Sequence, residues 1–243
     1  TIPANIDGKM TSPRFMNEKD GFSPLTPAIT HLPGATADGL ISHVDLAAYR
    51  SDDAKTAIVD IETGERIGHF AEIDVTADDP AARILMLHPV EPLEMGGRYA
   101  VAIRGVVDGA GDVIAPSEGF VALRDGIESD DVRVESRRTL YEDTLFPALE
   151  SAGLPRGDLQ IAWDFVVGSQ EGITGKALMM REDLYARLGD PGPAYVIDSV
   201  EEAVNETTAR RIKGHMTVPL YTDIDGPGAL LNRDADGMPF AEG

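Results

Sequence analysis

Leu159-Gln160-Ile161-Ala162-Trp163-Asp164-Phe165-Val166-Val167 is the stretch that decides how the chain is read. Leu159, Ile161, Trp163, Phe165 and Val167 alternate with Gln160, Ala162, Asp164 and Val166. A period of two is the pattern of a strand. Five large side chains on one face cannot all be left in water, so that face is predicted to be buried against a second layer.

Working upstream, Tyr99, Val101 and Ile103 alternate with Ala100, Ala102 and Arg104 as another strand. Arg83 to His88 is a short apolar run with the character of a buried strand. Thr56 to Ile61 reads as a strand, Glu62 to Glu65 as a turn, and Ile67 to Val75 as its hairpin partner. Asp108-Gly109-Ala110-Gly111-Asp112 is a tight turn, after which Gly119 to Leu123 is predicted as a closing strand. Residues 1–50 are punctuated by Pro3, Pro13, Pro24, Pro27 and Pro33 and are expected to be extended and turning. Repeated short strands with glycine turns suggest an Ig-like β-sandwich over 1–125.

Downstream of Arg124-Asp125-Gly126 the pattern changes, which places a second segment at 126–243. Tyr141, Leu145 and Leu149 recur at helical spacing, so a helix is predicted near 131–152. Asp130 and Asp131 stand at its start, and Gly153 and Pro155 stop it. A second helix is predicted near 176–188, ended by Gly189 and Pro191. Ala194–Val200 and Arg210–Tyr221 read as further strands, the latter with Ile212, Met216, Val218 and Leu220 on one face. The fold class expected is mainly β with a few helices (α+β): an Ig-like sandwich followed by a second β-rich segment with two helices.

Composition narrows the function. The 243 residues carry 42 acids against 21 Lys and Arg, a net charge of −21. No basic surface is available to displace counterions from a nucleic acid, and anionic lipid would repel the chain. There is no cysteine, so disulfides, thiol catalysis and cysteine zinc sites are excluded. No apolar run reaches the roughly 18 residues of a membrane span. Thr1 is not a start residue, and we expect a processed or trimmed chain.

Catalytic motifs are sparse. Gly168-Ser169-Gln170-Glu171-Gly172 is the nearest approach to a G-x-S-x-G nucleophile turn, but Val167 stands where the first glycine belongs. The histidines, His31, His43, His69, His88 and His215, match no metalloprotease spacing. His69 and Glu72 lie three apart in a predicted strand, hence on opposite faces, and cannot readily share a metal. Asp164 is the most unusual acid, set between Trp163 and Phe165. Asn205-Glu206-Thr207 is a formal glycosylation triplet. The best local motif is Asn232-Arg233-Asp234-Ala235-Asp236-Gly237. Oxygens of Asn232, Asp234 and Asp236 at alternate positions before a glycine resemble the start of a calcium loop. A polar turn bonding its own backbone explains the same residues.

Several segments carry a wider likeness: Asn17-Glu18-Lys19-Asp20-Gly21-Phe22-Ser23-Pro24, Asp60 to Arg66, His69 to Glu72, Leu85 to Pro89, Pro92 to Tyr99, Leu159 to Phe165, and Arg233 to Pro239. Together they resemble the β-rich, Ig-like N-terminal region of bacterial secreted or surface lipase-like α/β-hydrolase proteins, the virulence-factor lipase N-terminal family. The resemblance implies a secreted or cell-surface protein whose partner is a C-terminal α/β-hydrolase domain of the same precursor. In that family the nucleophile and catalytic histidine belong to the later domain, and no position here matches them. The function expected is therefore an accessory region of a lipase or esterase. The alternative is an independent extracellular binding or adhesion module, stabilised by calcium.

Overall fold

The structure is a computed structural model that describes residues 8, 10 and 14–242; Thr1, Pro3 and Pro13 lie outside the described residues. The chain is an α+β fold, mostly antiparallel strands with helices between them. It divides into two compact units, Thr1–Gln170 and Glu171–Gly243.

In the first unit, a single turn α1 (Arg14–Asn17) precedes β1 (Ala28–Thr30), β2 (Thr56–Asp60), β3 (His69–Ile73), β4 (Leu85–Pro89) and β5 (Arg98–Arg104). Helices α2 (Glu118–Arg124), α3 (Val132–Glu135), α4 (Arg138–Leu140) and α5 (Phe146–Ser151) follow, then β6 (Leu159–Val166). The strands form two antiparallel sheets, ordered β1-β4-β3 and β2-β5-β6.

Two clusters of buried side chains define three layers. Ala71, Leu85 and Leu87 from the first sheet meet Ile58, Tyr99, Val101 and Ile103 from the second. The other face of the second sheet, bearing Ala57, Val59, Ala100, Ala102 and Ala162, packs against Phe120, Leu123, Tyr141, Leu145, Phe146 and Leu149 of the helical layer. Alanine has little bulk above the sheet, so helices can approach closely enough to fill that face with their own large side chains. Both faces of β5 are consequently covered, and Tyr99 through Ile103 are all buried.

The two sheets are joined where β2 leads into β3. A hairpin between them was expected, but pairing is confined to residues 58–60 and 65–67, through Asp60 N–H to Glu65 O and Ile67 N–H to Ile58 O. Past Gly68 the chain crosses to the other sheet and β3 pairs with β4 instead. A buried polar bridge ties the crossing: the His69 ring lies 3.0 Å from Thr56 Oγ1 through Nε2 and 3.0 Å from the Ile67 carbonyl through Nδ1. This fits a neutral ring with the proton on Nδ1, and burial pushes the His69 pKa down.

The helical layer corrects three expectations. Gly119 to Leu123 is not a closing strand but part of α2. Ser117 caps it by accepting from the Phe120 N–H, and Phe120 and Leu123, three apart, share its buried face. The helix predicted near 131–152 is broken: α3 is a separate turn, and α4 runs into α5 through a wider π-turn at Tyr141–Leu145. Pro147 supplies the cause of the π-turn. It has no N–H, and its ring would strike the carbonyl four residues back in a regular helix. Gly153, at φ +77°, ends α5, and the Leu154 N–H closes onto Leu149 O. The composition break at 125/126 falls inside the first unit. Strand β6 pairs along β5 and α5 packs on the same sheet, so the division falls at Gln170/Glu171.

The opening stretch also folds differently from its pattern. A register shift between Ile103 and Arg104 places Leu159 in the helix-side cluster, separated from Ile161, Trp163 and Phe165. Gln160, at the shift, is buried. Its amide donates to the Val106 and Ile114 carbonyls at 2.9 and 2.6 Å and its oxygen accepts from the Val106 N–H at 2.8 Å.

The second unit contains α6 (Lys176–Leu188) and a hairpin of β7 (Tyr195–Asn205) and β8 (Thr208–Met216). Helix α6 has the predicted limits and stops at Gly189, at φ +61°. Strand β8 ends at Met216, short of the expected Tyr221, because Pro219 cannot donate to a ladder. The Asn205 carboxamide oxygen accepts from the Thr207 and Thr208 N–H groups and the Thr207 hydroxyl, which makes the glycosylation triplet the hairpin turn. Tyr195, Ile197, Val200, Ile212 and Met216 share one face of this ribbon and are all exposed.

Candidate functional site

Strands β1 and β6 are the edges of their sheets on the side away from the Gly68 crossing, and between them the first unit is open. Phe22, Ile29, Trp163 and Phe165, with Thr26, Pro27 and Ala28, line an apolar cleft of about 190 Å³ there. Ile29 and Trp163 also line a second cleft of about 550 Å³. It turns over the edge of β6 toward Tyr141, Arg133 and Arg137.

The segment holding Phe22 is built into β6. Its N–H donates to Val166 O at 2.9 Å and its carbonyl accepts from Gly168 N–H at 2.8 Å. Gly21 makes this possible, since a Cβ there would overlap the backbone of Val166, Val167 and Gly168. Asp20 completes the anchor by accepting from the Ser169 N–H at 3.2 Å. Hydrogen bonding to Ser169, side chain first, holds the Asp20 carboxyl below its usual pKa. Phe22 then stands at the cleft mouth, edge-on to Phe165 at 6.3 Å.

Asp164 lies on the opposite face of β6 from Trp163, with its side chain only 9% exposed. It accepts from Arg98 at 2.6 Å on one oxygen and from Arg137 at 2.8 Å on the other. Two guanidiniums on one carboxylate leave the group with one excess positive charge. Arg133 beside it is paired to Asp131, whose pKa it lowers to about 2. The phenol of Tyr141 donates to Ala162 O at 2.7 Å, and burial raises its pKa.

The sequence candidates do not converge. Ser169 is held by Asp20 at the end of β6. His31 bonds the Ala81 carbonyl, His43 meets the Phe70 ring, and His69 bridges the sheets. His88 stacks on Phe70 and lies 3.1 Å from Glu72, and His215 pairs with Asp198. As the spacing predicts, His69 is buried while Glu72 faces out. In the second unit, Asp234 Oδ1 accepts from the N–H groups of Asp236 and Met238, and Gly237 takes φ +78°. That oxygen is thus committed to the loop itself; Asn232 and Asp236 flank it. Among the described residues no three His, Cys, Asp or Glu side chains come together as a metal site.

Two features escaped sequence reasoning. Asp164 stood out as an acid, but its partners depend on strand register: Ala100 opposes Asp164, which sets Arg98 diagonally beside it. The cleft depends on which edges are left uncovered, and no local pattern reports that. No protein family, curated protein or solved structure was found to match the chain.

Proposed function

We propose that this chain is the accessory region of an exported lipase- or esterase-like hydrolase, packing on or positioning a C-terminal α/β-hydrolase domain of the same precursor. The two face-to-face sheets of the first unit fit the Ig-like sandwich that this reading carries, and export to the cell surface or medium belongs to it. The observation that supports it most is the fate of Ser169. The one serine near a nucleophile motif is tied to Asp20, and the described histidines are engaged elsewhere. This supports reading bond-breaking as the work of another domain, of the class that the segment resemblance implies.

The test compares this chain with its full-length natural precursor on short-chain p-nitrophenyl esters. We expect turnover from the precursor and none from the chain. Turnover by the isolated chain that disappears in Ser169→Ala would sink the proposal. A second reading, an independent extracellular binding module, draws on the open apolar cleft. It is favoured if the precursor lacks esterase activity as well.

A further inference from the structure

We propose that the paired clefts along the edge of β6 bind a single-chain amphiphile with a carboxylate head. The apolar chain lies between Phe22, Ile29, Trp163 and Phe165, and the head lies toward Arg137. Phe22 and Ile29 are 59% and 57% exposed although both line a concave apolar wall. Covering such side chains with an apolar ligand contributes about 25 cal/mol per Å² removed from water. The wall does not end blindly. Ile29 and Trp163 belong to both clefts, so a flexible chain laid in the first leads to the guanidinium at the rim of the second.

Charge selects the head. The protein carries −21 overall, yet Asp164 is shared by Arg98 and Arg137, which leaves a local excess of one positive charge. Asp131 and Arg133 cancel each other. A planar guanidinium already oriented by a nearly buried carboxylate suits a second carboxylate, whereas an ammonium head meets repulsion. An extended peptide suits the site less well. The outward carbonyls of Ala162 and Val166 are taken by the Tyr141 hydroxyl and the Phe22 N–H, so an added strand finds the β6 ladder blocked at both ends. The chemistry of this cleft holds whether or not a hydrolase domain accompanies it.

Trp163 is the only tryptophan in the chain and lines both clefts, so its emission reports occupancy directly. The whole chain is titrated below micelle concentrations with decanoate, decanol and decyltrimethylammonium, and stoichiometry is checked by equilibrium dialysis. We expect saturable one-to-one binding of decanoate, at least about tenfold tighter than decanol, and none of the cation. Arg137→Gln should bring decanoate down to the decanol level while leaving decanol unchanged. Phe22→Ser, at an exposed position, should weaken both. Equal affinity for decanoate and decanol, binding of the cation, or indifference to Arg137→Gln and Phe22→Ser would each overturn the proposal. So would a response to an extended apolar peptide with none to decanoate.

Discussion

The two faces of the β2-β5-β6 sheet make an instructive contrast. The face built from Ala57, Ala100, Ala102 and Ala162 is sealed, while on the other face Ile58, Tyr99, Val101 and Ile103 are buried but Ile161, Trp163 and Phe165, on the edge strand β6, are only half-buried. Size and hydrophobicity of the sheet residues predict the reverse. Burial is decided by what lies opposite. Small residues admit a helical layer that brings its own leucines and aromatics, whereas large residues at an uncovered edge become the wall of a cleft.

The strongest way to break this contrast is to truncate one side chain on each face. Leu145 is fully buried in the helix-side cluster, and Leu145→Ala should cost about 3 kcal/mol in urea unfolding. Phe165→Ala removes a larger side chain but should cost only about 1–2 kcal/mol, because water already reaches that wall. Equal losses would show the open face to be as well packed as the sealed one. Next comes Asp164→Ala, which leaves Arg98 and Arg137 facing each other without their shared carboxylate. A loss of about 2 kcal/mol, below the roughly 3–5 kcal/mol of a fully buried pair, is expected because both arginines are partly exposed.

The seam between the sheets offers a pH test. His69 has its pKa lowered by burial, so the folded state holds it neutral while the unfolded chain protonates near the ordinary 6.5. Its stabilisation is complete above that value and declines as pH falls through it toward the lowered folded value. Tm should therefore drop between pH 7.5 and pH 5.5, and His69→Gln should flatten the profile. The smallest effect expected is that of calcium. With Asp234 Oδ1 occupied by two backbone N–H groups, millimolar calcium should move Tm by less than about 2 °C. A larger rise that EDTA reverses would restore Asn232, Asp234 and Asp236 as ligands.

Much of the architecture was legible from local pattern. The strands at 98–104 and 159–166, the helix at 176–188, and the stop at Gly153 follow from period and punctuation. What failed was non-local. Phe120 and Leu123 suit either a strand or a helix until Ser117 and a sheet face decide between them. The His69 segment changes sheets, although nothing in its own residues distinguishes that from a hairpin. Of the candidate site, the Asp20-Gly21-Phe22 anchor was visible as a motif, yet its contact with Ser169 spans 149 positions. Arg137 gave no signal, because its partner lies 27 positions away in another layer.

Gln160 carries a consequence for how the chain finds its alignment. Its carboxamide satisfies both main-chain groups of Val106 and the carbonyl of Ile114. Slide the strand by a single step and Leu159 or Ile161 arrives there instead, stranding the Val106 N–H and the Ile114 carbonyl, while the Val106 carbonyl keeps only the Ile114 N–H. One amide thereby acts as a proofreading pin, penalising every misaligned pairing far more than it favours the correct one.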